Sequence, residues 1–129
     1  MNKLDKESVI GVSALLVHAA KIDEIYSEHE KDLVKNFIKS YLLDYDTNEI
    51  LKKAEELEMN SNQLLNYTNI IKNNSLEIKK DIIEHLWRVI ISDKTIDQYE
   101  SNLMRRICGL IYFPDKECAE IKLKLINKK

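Results

Sequence analysis

At five places along this chain a short polar side chain, followed three positions later by Glu or Gln, stands as a candidate helix start before an apolar stripe of helical spacing. The pairs are Ser27/Glu30, Asp46/Glu49, Asn60/Gln63, Asn74/Glu77 and Asp97/Glu100. Such a pair fits a capping box, in which each side chain bonds the other's backbone N–H and closes the first turn of a helix. The stripes repeat every three to four residues, as in Leu33, Val34, Phe37, Ile38 and Tyr41, or Ile78, Ile82, Ile83, Leu86, Trp87 and Ile90. Pro114 marks a sixth start, since proline tolerates the first helical position. With an apolar first helix from about Asp5 to Ile22, seven helices are predicted. No stretch alternates with period two, so no strand is expected. The first and fifth helices are the most apolar and should be central.

Two glycines and one proline in 129 residues leave little material for the tight turns of a β fold. That length suits one domain, here residues 1–129, with a single packed core. The run Val9–Ala20 is apolar, but Asp5 and Glu7 stand where a signal peptide needs positive charge, and the run is too short to span a bilayer. Cys108 and Cys118 fall within helical patterns and are read as core thiols in a reducing compartment, which predicts a cytoplasmic protein. Net charge is −2, which gives no global reason to bind nucleic acid. The basic tail, with Lys122, Lys124, Lys128 and Lys129, reads as a solvated helix end.

The two ends of the chain resemble each other. Residues 23–30 read D-E-I-Y-S-E-H-E and residues 93–100 read D-K-T-I-D-Q-Y-E. At an offset of 70, Asp23 matches Asp93, Ser27 matches Asp97, and Glu30 matches Glu100, with Tyr26 and Ile96 at the staple position before the cap. Two helical hairpins, about residues 5–41 and 75–111, are expected to be related by a pseudo-twofold.

The repeated unit is the one constellation here that suits ligand chemistry. Two carboxylates, one before the turn and one at the third position of the next helix, have the hard oxygens that calcium or magnesium takes. The structural alternative is strong, because capping alone accounts for Glu30 and Glu100, and Asp23 and Asp93 can accept backbone N–H bonds in the turn. The loop is not an EF-hand, which needs twelve residues and a central glycine. No H-E-x-x-H, no Glu-x-x-His pair and no Gly-rich phosphate loop accompanies it. Arg105 and Arg106 read as a solvated face.

The segments H-A-A-K-I-D-E-I-Y-S-E-H-E and I-S-D-K-T-I-D-Q-Y-E-S-N-L-M-R-R-I, with L-W-R-V-I-I-S-D leading into the second, resemble the paired acidic hairpins of the TerB-like family of tellurite-resistance proteins. They also resemble the related N-terminal domain of DjlA-type membrane co-chaperones. The family glycine after each Asp is here Glu24 and Lys94, and Lys94 adds positive charge beside Asp93. The resemblance implies an all-α seven-helix bundle with an internal repeat, and a non-enzymatic adapter or stress-response role. It further implies a divalent cation, calcium or magnesium, held by Asp23, Glu30, Asp93 and Glu100, together with a protein partner. Nucleic acid and membrane insertion are not expected. A small all-α enzyme using the acidic loops is the alternative, and nucleic-acid binding through the basic C-terminal half ranks below it. An enzyme would show an apolar pocket with converging, shifted titratable groups.

Overall fold

In the computed structural model, the structure describes residues 4–21, 26–60, 65–91 and 98–127, with the backbone alone for residues 65–66 and 98–100. Among them are seven α-helices and no strand. These are α1 (Lys6–Ala20), α2 (Glu28–Tyr41), α3 (Thr47–Asn60), α4 (Leu65–Lys72), α5 (Leu76–Ile91), α6 (Gln98–Leu110) and α7 (Asp115–Asn127).

The first helix is the axis of the fold. Asp5 caps it by accepting from the Ser8 N–H at 2.8 Å, and eleven of its fifteen residues are buried. A helix this apolar on all sides needs neighbours all round. It packs against α2, α3, α4 and α5. Gly11 lies under Ile70 of α4, whose side chain fills the place a Cβ would take. The last turns of α5 are nearly as deep, with Leu86, Trp87, Val89, Ile90 and Ile91 buried. That helix packs on α1, α2 and α7. Both are central, as their composition predicts.

The caps follow the sequence in part. At Ser27 the box is complete: the Glu30 N–H donates to Ser27 Oγ at 3.1 Å, and the Ser27 N–H donates to Glu30 Oε1 at 2.9 Å. Asp46 accepts from the N–H groups of Asn48 and Glu49 at 3.0 and 3.4 Å. The pair Asn74/Glu77 is displaced by one residue. Ser75 is the cap of α5, accepting from the Ile78 N–H at 3.3 Å. Asn74 instead turns its amide back to the Ile70 carbonyl at 2.8 Å and closes α4. Both residues suit a cap, but Asn74 reaches back to the carbonyl end of α4, which leaves Ser75, the residue next to the first turn of α5, to receive its N–H. Asn60 is also no cap. It is the last residue of α3, which runs on through the helix formers around it, and Gln63 lies outside the described residues. Pro114 stands just before α7 rather than inside it, its carbonyl accepting from the Cys118 N–H at 3.1 Å. The first helix ends at Ala20 with Lys21 as its C-cap, short of Ile22.

Helix boundaries keep the offset of 70 to within a residue: α1 maps onto α5 and α2 onto α6. Their surroundings differ. Among the described residues α1 packs on α2, whereas the main neighbours of α6 are α4 and α7.

Candidate functional site

The first acidic hairpin sits where the end of α1, the start of α2 and the second half of α3 meet. Its fixed point is Glu30, 1% exposed. One of its carboxylate oxygens serves the capping box, accepting from both the backbone N–H and the hydroxyl of Ser27 at 2.9 and 3.2 Å. Beside it stands Tyr26, packed against the core and donating its phenol to Glu55 Oε2 at 2.7 Å. Burial first, then the bond to Glu55, then the charges of Glu55, Glu30 and Glu28 push this phenol well above its ordinary range. It therefore stays a donor at any physiological pH.

Tyr26 was expected to act as a hydrophobic staple. Its partner position is Lys31, whose ammonium lies over the Tyr26 ring at 5.3 Å, with Lys21 at 5.8 Å. The staple is thus a cation over an aromatic face, an arrangement that ring electrostatics favours.

The third helix supplies two carboxylates that sequence reasoning missed. Glu55 holds Tyr26, and Glu58 bridges Lys21 at 2.8 Å and His18 at 3.3 Å. Both belong to the charged run K-K-A-E-E-L-E, which read alone looks like a solvated face. Their signal was the helical register: Glu55 and Glu58 are one turn apart and flank Ala54 and Leu57, which face the core. The junction therefore gathers Glu28, Glu30, Glu55 and Glu58 against Lys21 and Lys31.

Of the four residues expected to hold a cation, Glu30 is placed as described. Asp23 and Asp93 lie outside the described residues. Glu100 is in the first turn of α6, and its side chain also lies outside them. Among the described residues no three His, Cys, Asp or Glu side chains form a metal-ion cluster. Carboxylate oxygens suit a hard cation, and Glu30 would bring that chemistry with one oxygen already engaged by Ser27.

Two surface cavities lie elsewhere. One, of about 490 Å³, is lined by Ser40, Tyr41, Lys80, Asp81 and Glu84 among others. Here the Tyr41 phenol donates to Asp81 Oδ2 at 2.6 Å, and His85 Nε2 lies 3.6 Å from Asp81 Oδ1. Burial and the bond to Asp81 push Tyr41 up. Burial holds the His85 imidazole below its usual range, with the Asp81 charge pulling the other way. The Tyr41–Asp81 bond ties α2 to α5 as a polar cross-link, with the His85 imidazole beside it on α5. The other cavity, of about 430 Å³, lies between α5, α6 and α7 and is lined by Trp87, Met104, Arg105, Asp115, Cys118 and Lys122 among others.

A helical bundle with an apolar central helix and an acidic α1–α2 junction defines the class of protein. Residues 9–123 match the family model described as tellurite resistance protein TerB, and the chain belongs to the TerB family. The match runs from α1 into α7 and takes in both acidic hairpins. No curated protein and no solved structure matches the chain at a significant level. Among the described residues no helix is long and apolar enough to cross a membrane.

Proposed function

We propose that this chain is a non-enzymatic TerB-family module of the cytoplasm, serving an adapter or stress-response role. In this reading it engages a protein partner and binds a divalent cation, calcium or magnesium, through its acidic interhelical loops. The observation that carries the reading is the gathering of carboxylates where α1, α2 and α3 meet. Glu28, Glu30 and Glu55 surround Tyr26 closely enough for all three to raise its phenol, and Asp23 and Glu24 lie in the connecting sequence. Close like charges repel, which costs the folded state stability unless cations or hydrogen bonds offset it. A bound divalent ion would offset it and would stabilise the fold by mass action.

The test is thermal unfolding in calcium, in magnesium and in sodium chloride at matched ionic strength. At a hundredfold excess over its dissociation constant, an ion that binds only the folded state adds about 2.7 kcal/mol, seen as a rise in Tm. The Asp23→Asn, Glu30→Gln double variant should lose that rise. Gln serves at the third helical position of a capping box as Glu does, so the variant removes charge while keeping the cap. The Asp93→Asn, Glu100→Gln variant should lose less, because Lys94 already neutralises part of the second loop. Identical melting curves in the three salts would remove the cation from the reading.

A further inference from the structure

The turn between α6 and α7 brings the chain's two cysteines together. The sixth helix ends in a Schellman motif: the Phe113 N–H donates to the Cys108 carbonyl at 2.8 Å, and the Tyr112 N–H to the Gly109 carbonyl at 3.4 Å. Tyr112 takes the left-handed position with φ 59°. Pro114 then starts the chain back along α7. The reversal brings the Cys108 thiol close enough to the sulfur of Cys118 for each to shift the other's titration. Both thiols are reduced and buried.

The two sulfurs are not equivalent. Cys118 Sγ also accepts from Trp87 Nε1 at 3.3 Å, and Lys122, 5.3 Å from the Trp87 ring centre, adds positive charge on that side. Buried thiols in apolar surroundings are inert, whereas hydrogen-bond donors and a nearby cation favour the thiolate. The neighbouring Cys108 thiol acts first and the bond from Trp87 further, against burial and the Asp115 charge, to hold the Cys118 thiol below its ordinary range. Cys108 is pushed the opposite way. Access divides them too. The 430 Å³ cavity is lined by Cys118, with Arg105 and Lys122 also on its wall, and Cys108 is not among its lining residues.

We propose that Cys118 is a hydroperoxide-reactive thiol and Cys108 its resolving partner. The Cys118 thiolate attacks one oxygen of the peroxide. An S–O bond forms, the O–O bond breaks, and sulfur is oxidised by two electrons while the peroxide is reduced. The departing oxyanion leaves past Arg105 and Lys122 and takes a proton from water. Cys108 then attacks the Cys118 sulfenic sulfur. An S–S bond forms, the S–O bond breaks, and the hydroxide departs as water with the Cys108 proton. The product is a disulfide between α6 and α7. This chemistry is separate from the acidic loops and stands or falls without them.

The test uses the full chain, reduced and titrated with hydrogen peroxide at neutral pH, with free thiols blocked and intact mass recorded. Wild type should form an intramolecular disulfide about tenfold faster than free cysteine is oxidised, the advantage of a stabilised thiolate. Cys108→Ser should stop at a sulfenic acid that dimedone captures, and Cys118→Ser should stay unmodified at the same dose. Trp87 is the chain's single tryptophan, so its fluorescence in the wild-type protein should change at the rate of disulfide formation and recover on reduction. Far-UV circular dichroism should stay constant throughout. Peptide mapping of wild type oxidised in the presence of dimedone gives an answer even if a serine variant misfolds. A dimedone adduct on Cys108, two thiols that survive peroxide sufficient to oxidise free cysteine, or oxidation that appears only as helicity is lost would each overturn the assignment.

Discussion

The first and last helices are of nearly equal length, fifteen and thirteen residues, and the fold uses them in opposite ways. Four helices surround α1, whereas α7 lies against α5 and α6. Eleven residues of α1 are buried; in α7 only Cys118 and Ile121 are, and Leu123 stands 56% exposed. Capping does not separate them, since each begins at a defined stop in the chain. The difference is the width of the apolar surface. Ala, Val, Leu and Ile occupy every side of α1, while α7 alternates a narrow stripe with Lys and Glu. A helix's place in this bundle is set by how much of its circumference repels water.

The sharpest way to break that contrast is to cut side chains on both sides of it. Leu16→Ala on α1 and Leu86→Ala on α5, both 0% exposed, should each cost about 2–5 kcal/mol through lost burial and an unfilled cavity. Leu123→Ala on α7 should cost less than about 0.5 kcal/mol, the range of exposed sites. Urea denaturation midpoints measure all three, and an equal loss at Leu123 would make α7 part of the core.

A smaller effect should appear at the peripheral end. Tyr112 holds a left-handed backbone, which costs a residue with a Cβ about 1–2 kcal/mol, and its side chain is 70% exposed. Tyr112→Gly should therefore stabilise the protein by about 1 kcal/mol, after losing the ring contact with Lys72 at 5.6 Å. A loss of stability would show that the ring holds the turn more firmly than the backbone strains it.

The smallest effect belongs to α1. The Ser13 hydroxyl is fully buried and finds no hydrogen-bond partner among the described residues. Ser13→Ala removes a desolvated polar atom and improves helix propensity, so Tm should rise by an amount equivalent to about 0.5–1 kcal/mol. A fall in Tm would mean that the hydroxyl is satisfied in solution and that the axis of the bundle is less dry than it looks.

The helices were legible in the sequence because their signals are local. The box Ser27/Glu30 and the stripe Leu33–Tyr41 lie within a few turns of each other, and so do the ends of α5. Where two adjacent residues competed for one role, as Asn74 and Ser75 do, spacing could not decide, because the choice depends on which group needs a donor. The acidic junction was half legible. Glu30 follows from the box, but Glu55 and Glu58 reach Tyr26, Lys21 and His18 only once α3 packs on α1 and α2, and no short-range pattern encodes that. The pairing of Cys108 with Cys118 was hidden for another reason. The turn that makes it puts Tyr112, not a glycine, in the left-handed position, while Gly109 sits three residues early inside α6.

In the reading proposed above, Glu30 would serve both the cap and a cation, and this bears on how related sequences are to be compared. Its carboxylate closes the first turn of α2 with Ser27, so a descendant that had given up the acidic loop would still be selected to keep Glu or Gln there. Retention of that position is therefore no record of ion use. Position 23 lies outside the Ser27/Glu30 box, so in that reading its charge is the better historical marker. Lineages in which 23 drifts while 30 stays fixed would be those that kept the helix and let the ligand go.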